Sequence, residues 1–169
     1  MSVALLLIFL LILLAGGVAY YWFFIRGSCS VDSDCSSGSY CLSSVCTVPP
    51  LYILETTKFN SGNYITSPGQ KYFAIMQADG NFAVYNGSGP RNNNGLKWDL
   101  GSHNNGNISP GSYAYLQDDG NFVVMKSDGS AAIWRASSNG GTGPRKVGLT
   151  DTGILQVVDS TGAIIWQTN

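Results

Sequence analysis

A nine-residue pattern recurs in the carboxy-terminal two thirds of the chain. It reads QADGNFAVY at residues 77–85, QDDGNFVVM at 117–125 and, in eroded form, TDTGILQVV at 150–158. Each copy is followed by a tryptophan, Trp98, Trp134 and Trp166. Self-similarity at this spacing constrains architecture before any single residue does, because one unit too small to bury its own apolar face must stack against its neighbours.

Along an extended strand successive side chains alternate between faces, so residues two apart share one. One set is apolar in every copy: Met76, Phe82 and Val84; Leu116, Phe122 and Val124; Leu149, Leu155 and Val157. That face is expected to be core. The other set is Gln77, Asp79, Asn81, Ala83 and Tyr85 in the first copy and Gln117, Asp119, Asn121, Val123 and Met125 in the second. In the third it becomes Thr150, Thr152, Ile154, Gln156 and Val158, while Gly153 and the apolar set persist. The third repeat keeps its packing role and loses whatever the polar face does.

The polar set resembles the Q-x-D-x-N-x-V-x-Y mannose-binding signature of the bulb-type (monocot mannose-binding, snowdrop-like) lectins. The first two copies each match four of its five positions, departing at Ala83 and at Met125; the third copy matches none. The resemblance covers about residues 51–169 and implies a β-prism with pseudo-threefold symmetry, its three tryptophans filling the core rather than stacking on sugar. It also implies carbohydrate-binding roles for the ten residues of the two polar sets. Family members commonly carry an intradomain disulfide, and residues 52–169 contain no cysteine, so packing alone must hold this domain.

The residue types suit that chemistry independently. A pyranose hydroxyl both donates and accepts, which calls for a carboxylate, for amides offering both functions, and for a small apolar contact to the ring. The competing reading is a solvated sheet face decorated around an Asp-Gly turn. Ala83 in place of valine forfeits at most about 1.6 kcal/mol at roughly 0.8 per buried carbon. Met125 lacks a hydroxyl whose hydrogen bond contributes about 0.5–1.5 kcal/mol.

The amino terminus answers to a different solvent. Residues 3–25 carry no charge, and at 1.5 Å per residue they span about 34 Å, enough for a hydrocarbon core of about 30 Å. We expect a transmembrane helix in an anchor of residues 1–26, with Tyr20, Tyr21 and Trp22 as an interfacial belt and Arg26 closing it. A cleaved signal peptide is the rival, with small residues at Ala15, Gly16 and Gly17 but no basic leader. Arg26 favours a cytoplasmic carboxy-terminal side. The cysteines favour the opposite.

Cys29, Cys35, Cys41 and Cys46 fall in a Ser- and Gly-rich stretch of residues 27–48 that cannot bury a core. Two disulfides are the expected staple, with three pairings open. A zinc site fits less well, since the gaps exceed usual ligand spacing, and Asp32 and Asp34 alone do not make a calcium loop. Residues 49–51 then form a Pro-rich linker, and 52–169 hold only strand and turn signals.

The single histidine, His103, lies in a Gly/Asn-rich loop, and no serine or cysteine has a nucleophile's context. We expect no enzyme, no metal and no cofactor. A net charge of −1 without a basic run excludes nucleic acid. Two functions fit a single-pass membrane protein of this kind. One is a structural, assembly and adhesion module whose partners are the bilayer and neighbouring protein chains; the internal membrane of a large DNA virus, beneath its capsid, is a setting that reconciles Arg26 with the disulfides. The other is a membrane-anchored receptor for mannose-type glycans on a luminal or cell surface, where Asn86-Gly87-Ser88 and Asn107-Ile108-Ser109 become glycosylation sequons.

Overall fold

The computed structural model describes residues 29–30, 34–35, 39–42, 44–101 and 109–169. The expected anchor at 1–26, Asp32, His103 and the sequon at Asn107 lie outside the described residues. Among those described, no helix is long and apolar enough to cross a membrane. The chain divides into two compact units between Val48 and Pro49.

In the first unit β1 (Tyr40–Leu42) and β2 (Val45–Thr47) form an antiparallel hairpin with Cys41 opposite Cys46. Disulfides join Cys29 to Cys41 and Cys35 to Cys46. The sulfurs of Cys29, Cys35 and Cys46 lie within 4.8 Å of one another, but all four cysteines are oxidised in bridges and supply no thiolate.

The second unit is all β. Each repeat contributes three consecutive antiparallel strands: β6 (Tyr72–Met76), β7 (Phe82–Asn86) and β8 (Leu96–Asp99); β9 (Tyr113–Leu116), β10 (Phe122–Met125) and β11 (Ala132–Arg135); β12 (Lys146–Leu149), β13 (Leu155–Val158) and β14 (Ile164–Gln167). A fourth strand for each sheet comes from the segment before the repeats, and these are dealt out in reverse. β3 (Tyr52–Leu54) joins the third repeat, β4 (Lys58–Phe59) the second and β5 (Tyr64–Thr66) the first.

The turn inside each pattern is the same in all three copies. The amide of Gln77, Gln117 or Thr150 donates to the carbonyl of Asn81, Asn121 or Ile154, and the glycine amide donates back to the first residue's carbonyl. Gly80, Gly120 and Gly153 hold φ of 94°, 86° and 79°, which L side chains rarely adopt. At Gly120 space is short as well: a Cβ there would fall 2.8 Å from Arg145 Nε. Arg145 binds the carbonyls of Gly140 and Asp118 and pairs with Glu55 at 3.0 Å, tying the second repeat's turn to the third repeat.

The inner faces meet in one core. All nine residues of the apolar set are buried within a single cluster that draws on the three sheets. Register shifts after Val84, Val124 and Val157 place one extra residue, Lys97, Ile133 or Ile165, just ahead of each tryptophan. With the bulge the indoles face inward and converge: ring centroids lie 6.3 Å apart for Trp98 and Trp134, 6.2 Å for Trp98 and Trp166, and 5.6 Å for Trp134 and Trp166, all edge to face. Trp134 also meets Phe122 at 6.0 Å. Replacing it opens a cavity shared by all three sheets, so Trp134→Ala is expected to lower stability by about 3–5 kcal/mol in denaturant titration.

Outer turns rely on carboxylates. Asp159 accepts hydrogen bonds from the Thr161 hydroxyl and from the amides of Thr142, Ala163 and Thr161, and these hold its pKa down to about 2. Asp151, held low by the Ser67 hydroxyl and the Gly69 amide, clips the third repeat's turn to the loop between β5 and β6. A depressed carboxylate stabilises the fold above its ordinary value of 3.8 and stops doing so as pH falls through the folded value. Thermal stability should therefore hold down to about pH 4 and decline between about 4 and 2, with Asp159→Asn flattening the decline.

Candidate functional site

The polar set of each repeat lies on the outer face of its sheet. Gln77, Asp79, Asn81, Ala83 and Tyr85 come from β7 and the turn before it, and hydrogen bonds tie four of them in pairs. The Gln77 amide donates to the Tyr85 hydroxyl at 3.0 Å, and the Asn81 N–H donates to Asp79 Oδ1 at 2.9 Å. The Tyr85 ring stacks on Phe73, with centroids 5.4 Å apart and planes 19° from parallel. Tyr85 thus holds Gln77 as well as offering its own oxygen. Ala83 is fully buried beneath its neighbours.

Asp79 has a structural task that the sequence only half reveals. Its Oδ1 closes an Asx turn, and Asp119 does the same for the Asn121 N–H at 2.8 Å. In the third copy Thr150 Oγ1 takes over, accepting the Ile154 N–H at 3.0 Å. The solvated-turn reading therefore accounts for one oxygen of each aspartate and leaves the other to be explained.

Those second oxygens have different fates. Asp79 Oδ2 takes no hydrogen bond from a described residue, whereas Asp119 Oδ2 accepts the Asn139 side-chain amide. Asn139 belongs to the segment after β11, and its position there has no signature in the pattern.

The residue after each tryptophan also belongs to the outer face, since an inward indole turns its successor outward. Asp99 lies opposite Ala83, Arg135 opposite Val123 and Gln167 opposite Gln156. In the first sheet Asp99 Oδ2 accepts from Asn81 Nδ2 at 3.3 Å while its Oδ1 holds the Gly101 amide. In the third, Gln156 and Gln167 bond each other directly. The sequence contains the signal for these positions in Trp98-Asp99, Trp134-Arg135 and Trp166-Gln167, once the tryptophans are known to point inward.

The second row is tied differently. Asp119 and Asn121 are joined, but Gln117 has no side-chain hydrogen bond to a described residue, because Met125 stands where Tyr85 holds Gln77. Val123 is fully buried, as Ala83 is. Asn121 is held from the other side: the Ser138 N–H donates to its Oδ1 at 3.2 Å, and Ser138 Oγ in turn bridges the Phe122 N–H and the Gly120 carbonyl.

Two further features carry less. An open cleft of about 490 Å³ on the third repeat is lined by Leu54, Arg145, Lys146 and the Asp159 turn, but Asp159 and Arg145 are already committed within the fold. At the sequon, Asn86 Nδ2 donates one N–H to the Gly95 carbonyl at 3.1 Å.

No family model matches the chain, and no curated protein sequence matches it. Solved structures do. A monomeric monocot mannose-binding lectin from Gastrodia elata shares 24% identity over 70% of this chain and 94% of that one, with a TM-score of 0.56. A lectin from Allium sativum shares 28% over 64% and 93%, TM-score 0.52. The mannose-specific agglutinin of snowdrop (Galanthus nivalis) bulbs, solved with methyl-α-D-mannoside, shares 18% over 64% and 89%, TM-score 0.53. The fold is the bulb-lectin β-prism.

Within that fold the Asx turn and the outward oxygen of Asp79 separate experimentally. Asp79→Asn retains a side-chain oxygen for the Asn81 N–H and should leave the melting temperature unchanged. Asp79→Ala removes it and is expected to cost about 0.5–1.5 kcal/mol in denaturant unfolding.

Proposed function

We propose that the chain is a lectin, with the outer face of its first repeat as the carbohydrate-binding row. The observation that carries this reading is the first row's own geometry: Gln77 oriented by Tyr85, Asn81 held between Asp79 and Asp99, and the second oxygen of Asp79 without a hydrogen bond from a described residue. A polar row built only to be wet does not need its amide fixed by a stacked tyrosine. Mannose is the proposed sugar, because lectins of the same fold bind it and four of the five signature positions are kept in this row. Single sites of this kind are weak, and display of many copies on a surface raises the effective strength.

Membrane anchorage through residues 1–26 belongs to the same proposal, supported by the uncharged run at 3–25. It would supply that display.

A second reading, an assembly block that reuses the prism, is favoured by the outer face of the third repeat. There Leu54, Lys146, Val158 and Ile164 are register neighbours across four strands, with Leu54 and Ile164 more than half exposed. The internal membrane of a large DNA virus, where Arg26 and the disulfides agree, is the setting proposed for this second reading.

The full-length chain on a dense mannan surface tests the first reading. Wild type should be retained and eluted by free mannose, Asp79→Asn should lose most of that retention, and Asp119→Asn should lose little. Equal retention of Asp79→Asn and wild type would sink the assignment of the first row.

A further inference from the structure

The two rows that keep the signature differ in what they offer a ligand, and the difference lies in residues outside it. In the first row each side-chain amide gives an N–H to a neighbour inside the protein. Gln77 Nε2 goes to Tyr85 Oη and Asn81 Nδ2 goes to Asp99 Oδ2, while the outward groups include a carboxylate oxygen of Asp79. That oxygen is an acceptor for which the second row has no open counterpart on Asp119.

In the second row the oxygens of Asp119 and Asn121 are each engaged instead. Asp119 Oδ1 takes the Asn121 N–H and Asp119 Oδ2 takes the Asn139 amide. Asn121 Oδ1 takes the Ser138 N–H, and because a backbone N–H can only donate, this bond fixes the orientation of the amide. Asn121 is 6% exposed, yet among the described residues its Nδ2 has no hydrogen-bond partner and no buried side-chain nitrogen or oxygen of any of them is left unsatisfied. Its N–H groups therefore meet the surface of the row. Gln117, lacking a tyrosine to bind, is free to turn its own amide outward.

Arg135 completes the contrast. It lies directly opposite Val123 on the same outer face, is exposed, and makes no ion pair or hydrogen bond with a described residue. The first sheet has a carboxylate, Asp99, at this position. A planar guanidinium on the face where these amide N–H groups emerge, with both oxygens of the local carboxylate already engaged by hydrogen bonds, matches a carboxylate on a ligand.

Building on the reading that these outer faces bind carbohydrate, we infer that the second row takes an acidic saccharide, a uronic-acid type sugar, with Arg135 as the residue that sets its specificity. Arg135 binds the sugar carboxylate, Asn121 Nδ2 and Gln117 donate to neighbouring hydroxyls, and the first row takes neutral sugar. One prism then reads two sugar chemistries through two faces that share a motif.

The test uses the full-length chain carrying Asp79→Asn, which silences the first row, titrated calorimetrically with trigalacturonate and with mannotriose. Trigalacturonate should bind at least about tenfold more tightly than mannotriose, the scale of one charge-assisted contact. Arg135→Gln should abolish that preference, and Arg135→Lys should restore part of it, keeping charge without the fork. Equal binding of the two trisaccharides, or an acid preference that survives Arg135→Gln, would overturn the inference while leaving the first row's mannan binding intact. Failure of the otherwise wild-type chain to bind any of these saccharides would overturn the lectin reading and this one together.

Discussion

Three indole rings, from Trp98, Trp134 and Trp166, meet edge to face where the three sheets converge. Each is delivered by a bulge at the same place in its repeat, and each touches the indoles of the other two sheets. Burial of large aromatic surface drives the arrangement, and the edge-to-face geometry selects it from other ways of filling the same space. Once the indoles point inward, strand alternation leaves no choice about their neighbours. The apolar set forms the buried core against which they pack, and Asp99, Arg135 and Gln167 are turned outward into the polar rows.

The core was legible in the sequence because it depends on a period of two and on residue type alone: every member of the apolar set, from Met76 to Val157, is buried as alternation predicts. The reversed order of β3, β4 and β5 was not, since nothing local distinguishes one short edge strand from another. Likewise the pairing of Cys29 with Cys41 and Cys35 with Cys46 depends on a two-strand register that three similar spacings do not encode. At the site, the motif residues could be read in advance, but their division of labour could not. Asp79 and Asp119 look identical in sequence. They differ because Asn139, twenty residues beyond Asp119, folds back onto it.

Repetition separates two demands that a single domain must usually satisfy with the same residues. The inner face of each repeat must match the other two inner faces, so it is held close to constant. Each outer face answers only to what lies outside it. Thr150 shows how little constrains that face: its hydroxyl replaces an aspartate in the turn, and the prism closes as well without the signature residues as with them. The three outer faces have accordingly come to carry a carboxylate, a guanidinium and an amide at one equivalent position.

The strands dealt out in reverse before the repeats have a consequence in time. Tyr52 in β3 pairs with Gly148 in β12, ninety-six residues later in the chain. At a synthesis rate of about 5–20 residues per second, β3 waits roughly 5–20 s for its partner to be made. The first sheet can close early, because β5 is followed at once by β6; the second closes next, and the third last. The prism therefore zips from its middle outward. The strand nearest the amino-terminal segment is the last to find its place, and until then that end of the domain remains an unpaired edge on the ribosome.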